Sequence, residues 1–358
     1  MVQGLGLITL ALAAASLSAS AGGVWASIHF ANRLGILDVP NERSSHTTPT
    51  PRMGGVPMVL AVVLTFGCWS LLAAGELFAN KGLFHTILFA VAMAVLGFWD
   101  DLSGLSPSFR FVVQMVFAIL VLWGSSSLAL RFSDAGLADE SRFFTQVGWI
   151  LFGGVLAVWI LNLYNFMDGI DGLAGGEAVV SSSFFFLVFS YYGESGWAVI
   201  NLFIAAASMG FLVHNWPPAR VFMGDAGSAF LGAFFGMQFV VASMATPVPF
   251  PVLVLPFSNF ILDTTVTLLR RLFRGERWYH SHRSHYYQRM TNLGMTHRKV
   301  TVVELVASAG SCAAAAVYLN VGFLGRGILI VVLLSVFLSC GVWIGRREKQ
   351  EACASPPL

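Results

Sequence analysis

Charge is what this sequence has least of. Only 11% of its 358 residues are Asp, Glu, Lys or Arg, 56% are hydrophobic, and the mean hydropathy is +0.75. A soluble domain carries about 25% charged residues, so a water-soluble globular fold is excluded. Cysteine is scarce too: the four present show neither metal nor disulfide spacing. Cys68, Cys312 and Cys340 fall in apolar runs and read as small hydrophobes, and Cys353 lies in the tail. No basic residue precedes Arg33, and the first apolar run is too long for a signal peptide. It reads instead as a first transmembrane helix. No internal repeat, low-complexity tract or soluble domain is visible, and the longest polar stretch is 270–299. The net charge of +2 gives no ground for a nucleic-acid partner.

What is present is a succession of apolar runs of roughly 20 residues, the length that crosses a bilayer. Eleven spans are expected, at about 4–30, 54–74, 83–99, 109–130, 147–164, 173–192, 197–214, 227–244, 249–269, 300–319 and 323–345. The prolines at 247, 249 and 251 separate the eighth from the ninth. The chain therefore reads as an all-α polytopic membrane protein, with one transmembrane unit over 1–345 and a tail over 346–358. Basic residues orient it. With the N-terminus outside, sixteen lie in cytoplasmic segments and four (Lys81, Arg131, Arg142 and Arg326) outside. The C-terminus is then cytoplasmic.

In that orientation every dense polar motif falls on the cytoplasmic side. Asp38, Asn41, Arg43, His46 and Arg52 belong to the first loop, and Asp100-Asp101 to the second. Adjacent acids repel, and at a helix C-terminus they also oppose the helix dipole, so this pair points to a bound cation. In the third loop, Asn162, Asn165 and Asp168 recur every three residues, as on one helical face, and Asp171 and a run of glycines follow. In the fourth, Asp225 is placed to ligate a hard metal, and free N–H groups at the helix start there could hold phosphate. In the fifth, His282, Arg283 and His285 read as phosphate or sugar contacts rather than zinc ligands, because no cysteine accompanies them and carboxylates favour Mg²⁺. Asp263, within its span, is either functional or paired with a neighbouring group.

These motifs resemble the bacterial polyprenyl-phosphate N-acetylhexosamine-1-phosphate transferases over roughly residues 30–300. The resemblance rests on DVPNERSSHTTPTPRMGG at 38–55, Asp100-Asp101, NLYNFMDGIDGLAGG at 162–176, FMGDAGS at 222–228 and the His/Arg motif of the last large loop. It implies Mg²⁺ (or Mn²⁺) dependence, a UDP-N-acetylaminosugar donor and undecaprenyl phosphate as acceptor. It implies that Asp225 binds the metal and that Asp100 and Asp101, the catalytic pair, serve metal and attacking phosphate. Asn165, Asp168 and Asp171 would contact the nucleotide side, and Asn215 would lie in the site. Arg43, His46 and Arg52 would join the substrate contacts from the first loop.

HSHRSHYYQRM departs from the consecutive histidines of peptidoglycan translocases. That favours an O-antigen-initiating enzyme of the bacterial inner membrane over a UDP-MurNAc-pentapeptide or teichoic-acid-linkage enzyme. Membrane lipids are expected partners, and a homodimer is an admissible assembly. A secondary transporter would place its acids near mid-membrane, whereas nearly all lie at span ends here. A CDP-alcohol phosphotransferase would need an arginine that DGLAGG at 171–176 lacks.

Overall fold

The structure, a computed structural model, describes residues 2–34, 37–38, 49–73, 80–125, 139–276 and 283–354. The expected positions Arg43, His46 and His282 lie outside the described residues.

Among the described residues, eleven helices are long and apolar enough to cross a membrane, as many as expected, and the protein is an all-α polytopic membrane protein. They are α1 (Val2–Leu34), α2 (Gly55–Leu72), α3 (Lys81–Ser103), α4 (Pro107–Gly124), α5 (Asp139–Met167), α6 (Leu173–Tyr191), α7 (Ser195–Asn215) and α8 (Gly224–Ala245), followed by a broken ninth span and two further helices. The ninth span runs from α9 (Phe250–Val254) through a 3-10 turn at Leu255–Phe257 into α10 (Ser258–Phe273). Pro256 sits at the break, where it has no N–H to donate to a continuous helix. A seven-residue helix, α11 (Tyr286–Asn292), then precedes α12 (His297–Asn320) and α13 (Phe323–Ala354). One expectation is corrected: the 270–299 stretch is not wholly loop, since α10 reaches Phe273, α11 lies within it and α12 begins at His297.

The helices meet through small residues and aromatic packing, the means available where lipid removes any hydrophobic drive between spans. On α1, Ser16 and Ser20 donate to the Phe203 and Ala207 carbonyls of α7 at 3.2 and 2.7 Å. Tyr164, Phe185, Phe235 and Phe257 interlock in the middle of the bundle. The most buried span is α8, which lies against α3 and α5. Its approach to α3 requires Gly97, because a Cβ there would lie 2.2 Å from the Asp225 carbonyl oxygen. That contact sets the end of α3, with its two acids, directly beside the start of α8.

Candidate active site

The segment after α1 is tied into this corner by its backbone. β1 (Leu37–Asp38) pairs antiparallel with β2 (Thr50–Pro51). Phe222 N–H donates to the Pro51 carbonyl at 2.8 Å, and Gly54 and Gly55 N–H donate to the Phe222 and Met223 carbonyls at 3.0 and 2.8 Å. Arg52 is thereby held over the start of α8. Gly224, at φ +74°, makes the turn into that helix; a Cβ there would also lie 2.5 Å from the Arg52 carbonyl oxygen.

Acids and arginines alternate around this point. Asp101, in the last turn of α3, accepts the N–H groups of Asp225 and Ala226 at 3.0 and 3.1 Å, and Arg52 Nε lies 3.2 Å from its Oδ1. The expectation that these helix-start N–H groups are free for phosphate is therefore corrected: Asp101 takes them. Asp100 accepts the Leu105 N–H at 2.6 Å and pairs with Arg110. Asp225 meets Arg52 Nη2 at 3.4 Å, Arg110 Nη1 at 3.3 Å and Asn165 Nδ2 at 3.1 Å. Its carboxyl lies within hydrogen-bonding reach of that of Asp100. Asn165 also reaches Ser228 Oγ at 3.0 Å. Burial and the nearby Asp225 push the Asp168 carboxyl well above the ordinary carboxylate range.

The next turn is fixed by a second set of contacts. Asn215 accepts the Gly172 N–H at 2.9 Å and donates to the Val221 carbonyl at 2.8 Å, so it locks the 168–172 turn to the segment leading into α8. Asp171 accepts the Ala219 N–H at 3.1 Å and meets His297 Nδ1 at 3.3 Å, and its carbonyl accepts from Thr301 at 2.7 Å. Burial raises the Asp171 carboxyl, but these hydrogen bonds outweigh it and hold the group below its ordinary value.

Other expected residues stand elsewhere. Asn162 turns away from Asp225 and donates to Gln114 of α4 at 2.8 Å. His285 is buried, 3.4 Å from Asp263 and between the Phe166 and Tyr287 rings, so it does not present a free edge as a loop histidine would. Asp263 accepts the Tyr286 and Tyr287 N–H groups at 2.8 and 3.3 Å, which makes it the cap of α11. Arg283 stands just before α11, and its buried Nε has no hydrogen-bond partner among the described residues.

Sequence reasoning missed Arg110 and His297 as site residues. It also missed a buried cluster joining α6, α10 and α12. There Ser181 donates to Glu177 at 2.6 Å, Ser308 also binds Glu177, and Asn259 donates to Glu304 at 3.0 Å. Arg110 was signalled by its place just after two acids that needed a cation.

A cavity of about 110 Å³ is lined by the charged Asp38, Arg52 and Asp101 and by the apolar Leu37, Met53, Phe98 and Leu102. The oxygen donors of the cluster suit a hard divalent cation. Among the described residues no three carboxylate or imidazole groups form a ready-made metal cage. The clustered acids therefore fit Mg²⁺ only as a partial shell that water and substrate phosphate complete, which is the usual habit of that ion.

A polytopic bundle with an acid and arginine cluster at one end of its spans is the class of protein defined so far. The model of the family described as glycosyl transferase family 4 matches residues 83–243. The decaprenyl-phosphate N-acetylglucosaminephosphotransferase of Mycobacterium tuberculosis (strain ATCC 25618 / H37Rv) is 31% identical over 301 residues, 76% of this chain and 73% of that one. The probable undecaprenyl-phosphate N-acetylglucosaminyl 1-phosphate transferase of Bacillus subtilis (strain 168) is 29% identical over 316 residues, 86% of this chain and 83% of that one. The undecaprenyl-phosphate alpha-N-acetylglucosaminyl 1-phosphate transferase of Escherichia coli (strain K12) is 25% identical over 337 residues, 89% and 86% of the two chains. The chain belongs to this family of polyprenyl-phosphate hexosamine-1-phosphate transferases.

Proposed function

We propose that this protein transfers an N-acetylaminosugar-1-phosphate from a UDP-sugar to undecaprenyl phosphate at the cytoplasmic face of the bacterial inner membrane. One observation carries the reading: Asp100, Asp101 and Asp225 meet Arg52 and Arg110 at one end of the bundle, and Asn165 donates to Asp225. Two anions must come together in this reaction, and a site of interleaved acids and arginines suits that need. N-Acetylglucosamine is the favoured sugar, in keeping with the names of the relatives. O-antigen-type synthesis is the favoured pathway.

The acceptor phosphate has a second pKa of about 6, so at neutral pH it is mostly a dianion and needs no strong base. Its oxygen attacks the β-phosphorus of the donor. The new P–O bond forms as the bond from that phosphorus to the bridging oxygen breaks, and UMP leaves with the electron pair. Mg²⁺, when bound, neutralises the diphosphate and stabilises the leaving phosphate. Asp225 would hold it, with Asp100 and Asp168 beside it. Asp101, with both oxygens engaged, orients the Asp225 backbone. Arg52 and Arg110 offset the charge of the incoming phosphates, and Arg283, whose Nε has no hydrogen-bond partner among the described residues, would serve the donor diphosphate. The cavity at Asp101, lined by both charged and apolar side chains, suits the phosphate head of a lipid acceptor.

Product identification tests the reading. Purified protein given undecaprenyl phosphate, Mg²⁺ and UDP-N-acetylglucosamine should yield undecaprenyl-diphospho-N-acetylglucosamine by mass spectrometry. No lipid-linked sugar from any UDP-N-acetylaminosugar would refute it.

A further inference from the structure

We propose that Tyr287 is a positioning residue that couples the Arg283–His285 segment to the carboxylate cluster; the inference rests on the reading of the site given above. Tyr287 is the second residue of α11, and its side chain is fully buried. Its hydroxyl donates to the Phe166 carbonyl at 2.9 Å. Phe166 lies in the last turn of α5, where carbonyls have no intrahelical donor and need one from elsewhere. It also lies between Asn165, which holds Asp225 at 3.1 Å, and Asp168. One hydroxyl from the donor-side helix thus fixes the backbone between two residues of the cluster.

Gly169 completes the contact. A Cβ at that position would fall 2.0 Å from the Tyr287 hydroxyl oxygen and 3.0 Å from the ring carbon bearing it. Only glycine lets the phenol lie over the turn. The rings of Phe166, His285 and Tyr287 form a stack, with centroids 6.3 and 5.8 Å apart.

The far side of α11 is equally tied down. Asp263 caps its first N–H groups, Arg289 makes a two-pronged pair with Glu348 of α13 at 2.8 and 2.7 Å, and the Tyr286 ring stacks on Phe337 at 4.9 Å. A helix held in this way cannot shift alone. Displacement of Arg283 by a bound donor is passed through Tyr287 to the Asn165–Asp168 turn, and so to Asp225. In this account the hydroxyl sets the geometry for turnover and takes no part in binding either substrate.

The test is a double-mutant cycle on the full-length purified protein with Tyr287→Phe, Gly169→Ala and the pair. Tyr287→Phe should lower kcat about three- to tenfold, the worth of one neutral hydrogen bond. Donor KM should change by less than about twofold, and the thermal midpoint should fall only slightly, because the ring remains packed while one carbonyl loses its donor. Gly169→Ala should be the more damaging change. Adding Tyr287→Phe to it should restore part of both activity and midpoint, since removing the hydroxyl relieves the clash; neighbours that share a contact are non-additive. Wild-type kcat in Tyr287→Phe, or strict additivity of the pair, would overturn the proposal. If the wild-type protein released no UMP at all, the transferase reading would fail instead. The coupling would still be read from the midpoints, where additivity alone would refute it.

Discussion

Arg110 binds two acids at once: its Nη1 pairs with Asp100 and lies 3.3 Å from Asp225 Oδ2. Without it the two carboxylates would face each other with less positive charge between them. Arg110→Gln should lower kcat/KM by about 10- to 150-fold, corresponding to about 1.5–3 kcal/mol for a charge-assisted contact. Lysine should fall between, since it offers a point charge in place of a fork. Steady-state rates on monodisperse protein check this; wild-type kcat/KM in the glutamine variant would contradict it.

Asp168 carries a stability cost. Burial, then Asp225, pushes its carboxyl well above the ordinary range. A carboxyl raised in the folded state favours folding fully only below its unfolded pKa, and that contribution is lost as pH rises through the folded value. Near neutral pH in metal-free buffer, Asp168→Asn should therefore unfold at a higher temperature than wild type. The gap should close as the buffer is made acidic. Activity should be lost in the same variant. Equal midpoints across the pH series would show that the charge is accommodated without strain.

The spans were legible because hydropathy and length alone define them; at their ends Asp100, Asp101, Asn165 and Asp225 were legible as polar groups set against apolar runs, and several of their neighbours were not. Asn162 shares a three-residue spacing with Asn165, yet it faces Gln114, because the apparent face of a helix depends on which neighbour packs there. Arg110 is one of many positive residues near span ends, and only its place after Asp100-Asp101 sets it apart in sequence from a charge that orients the chain. His285 sits just before a helix of seven residues, too short to show periodicity. Asp263 was ambiguous because a functional acid and a remote cap have the same signature; only the fold brings it to Tyr286 and Tyr287. His297 was a lone histidine at a helix start, and its partner Asp171 is remote in sequence.

Asp263 should matter for stability first. Besides the two α11 N–H groups it accepts the Thr267 hydroxyl at 3.1 Å. Asp263→Ala leaves buried donors unpaired, at about 1–3 kcal/mol for such a group. The midpoint of the purified protein should drop clearly, and protease cleavage near α11 should increase. An unchanged midpoint would mean that α11 is held without its cap.

Cys353 is exposed near the end of α13 and tests orientation. In a variant whose other cysteines are serine, a membrane-impermeant maleimide should label Cys353 in inverted membrane vesicles and not in intact cells. The motive is the sixteen-to-four distribution of basic residues. Labelling of intact cells would put the acid cluster on the face that soluble UDP-sugars do not reach.

The central claim is that the acid and arginine cluster transfers a sugar phosphate with a divalent cation held at Asp225. The most direct measurement is UMP release by purified protein given UDP-N-acetylglucosamine and undecaprenyl phosphate, with Mg²⁺, with excess EDTA, and with Asp225→Asn. The account predicts steady release that requires the lipid phosphate, stops in EDTA, returns when Mg²⁺ is restored, and is lost in a well-folded Asp225→Asn protein. Full release in excess EDTA, or an Asp225→Asn protein as active as wild type, would contradict it.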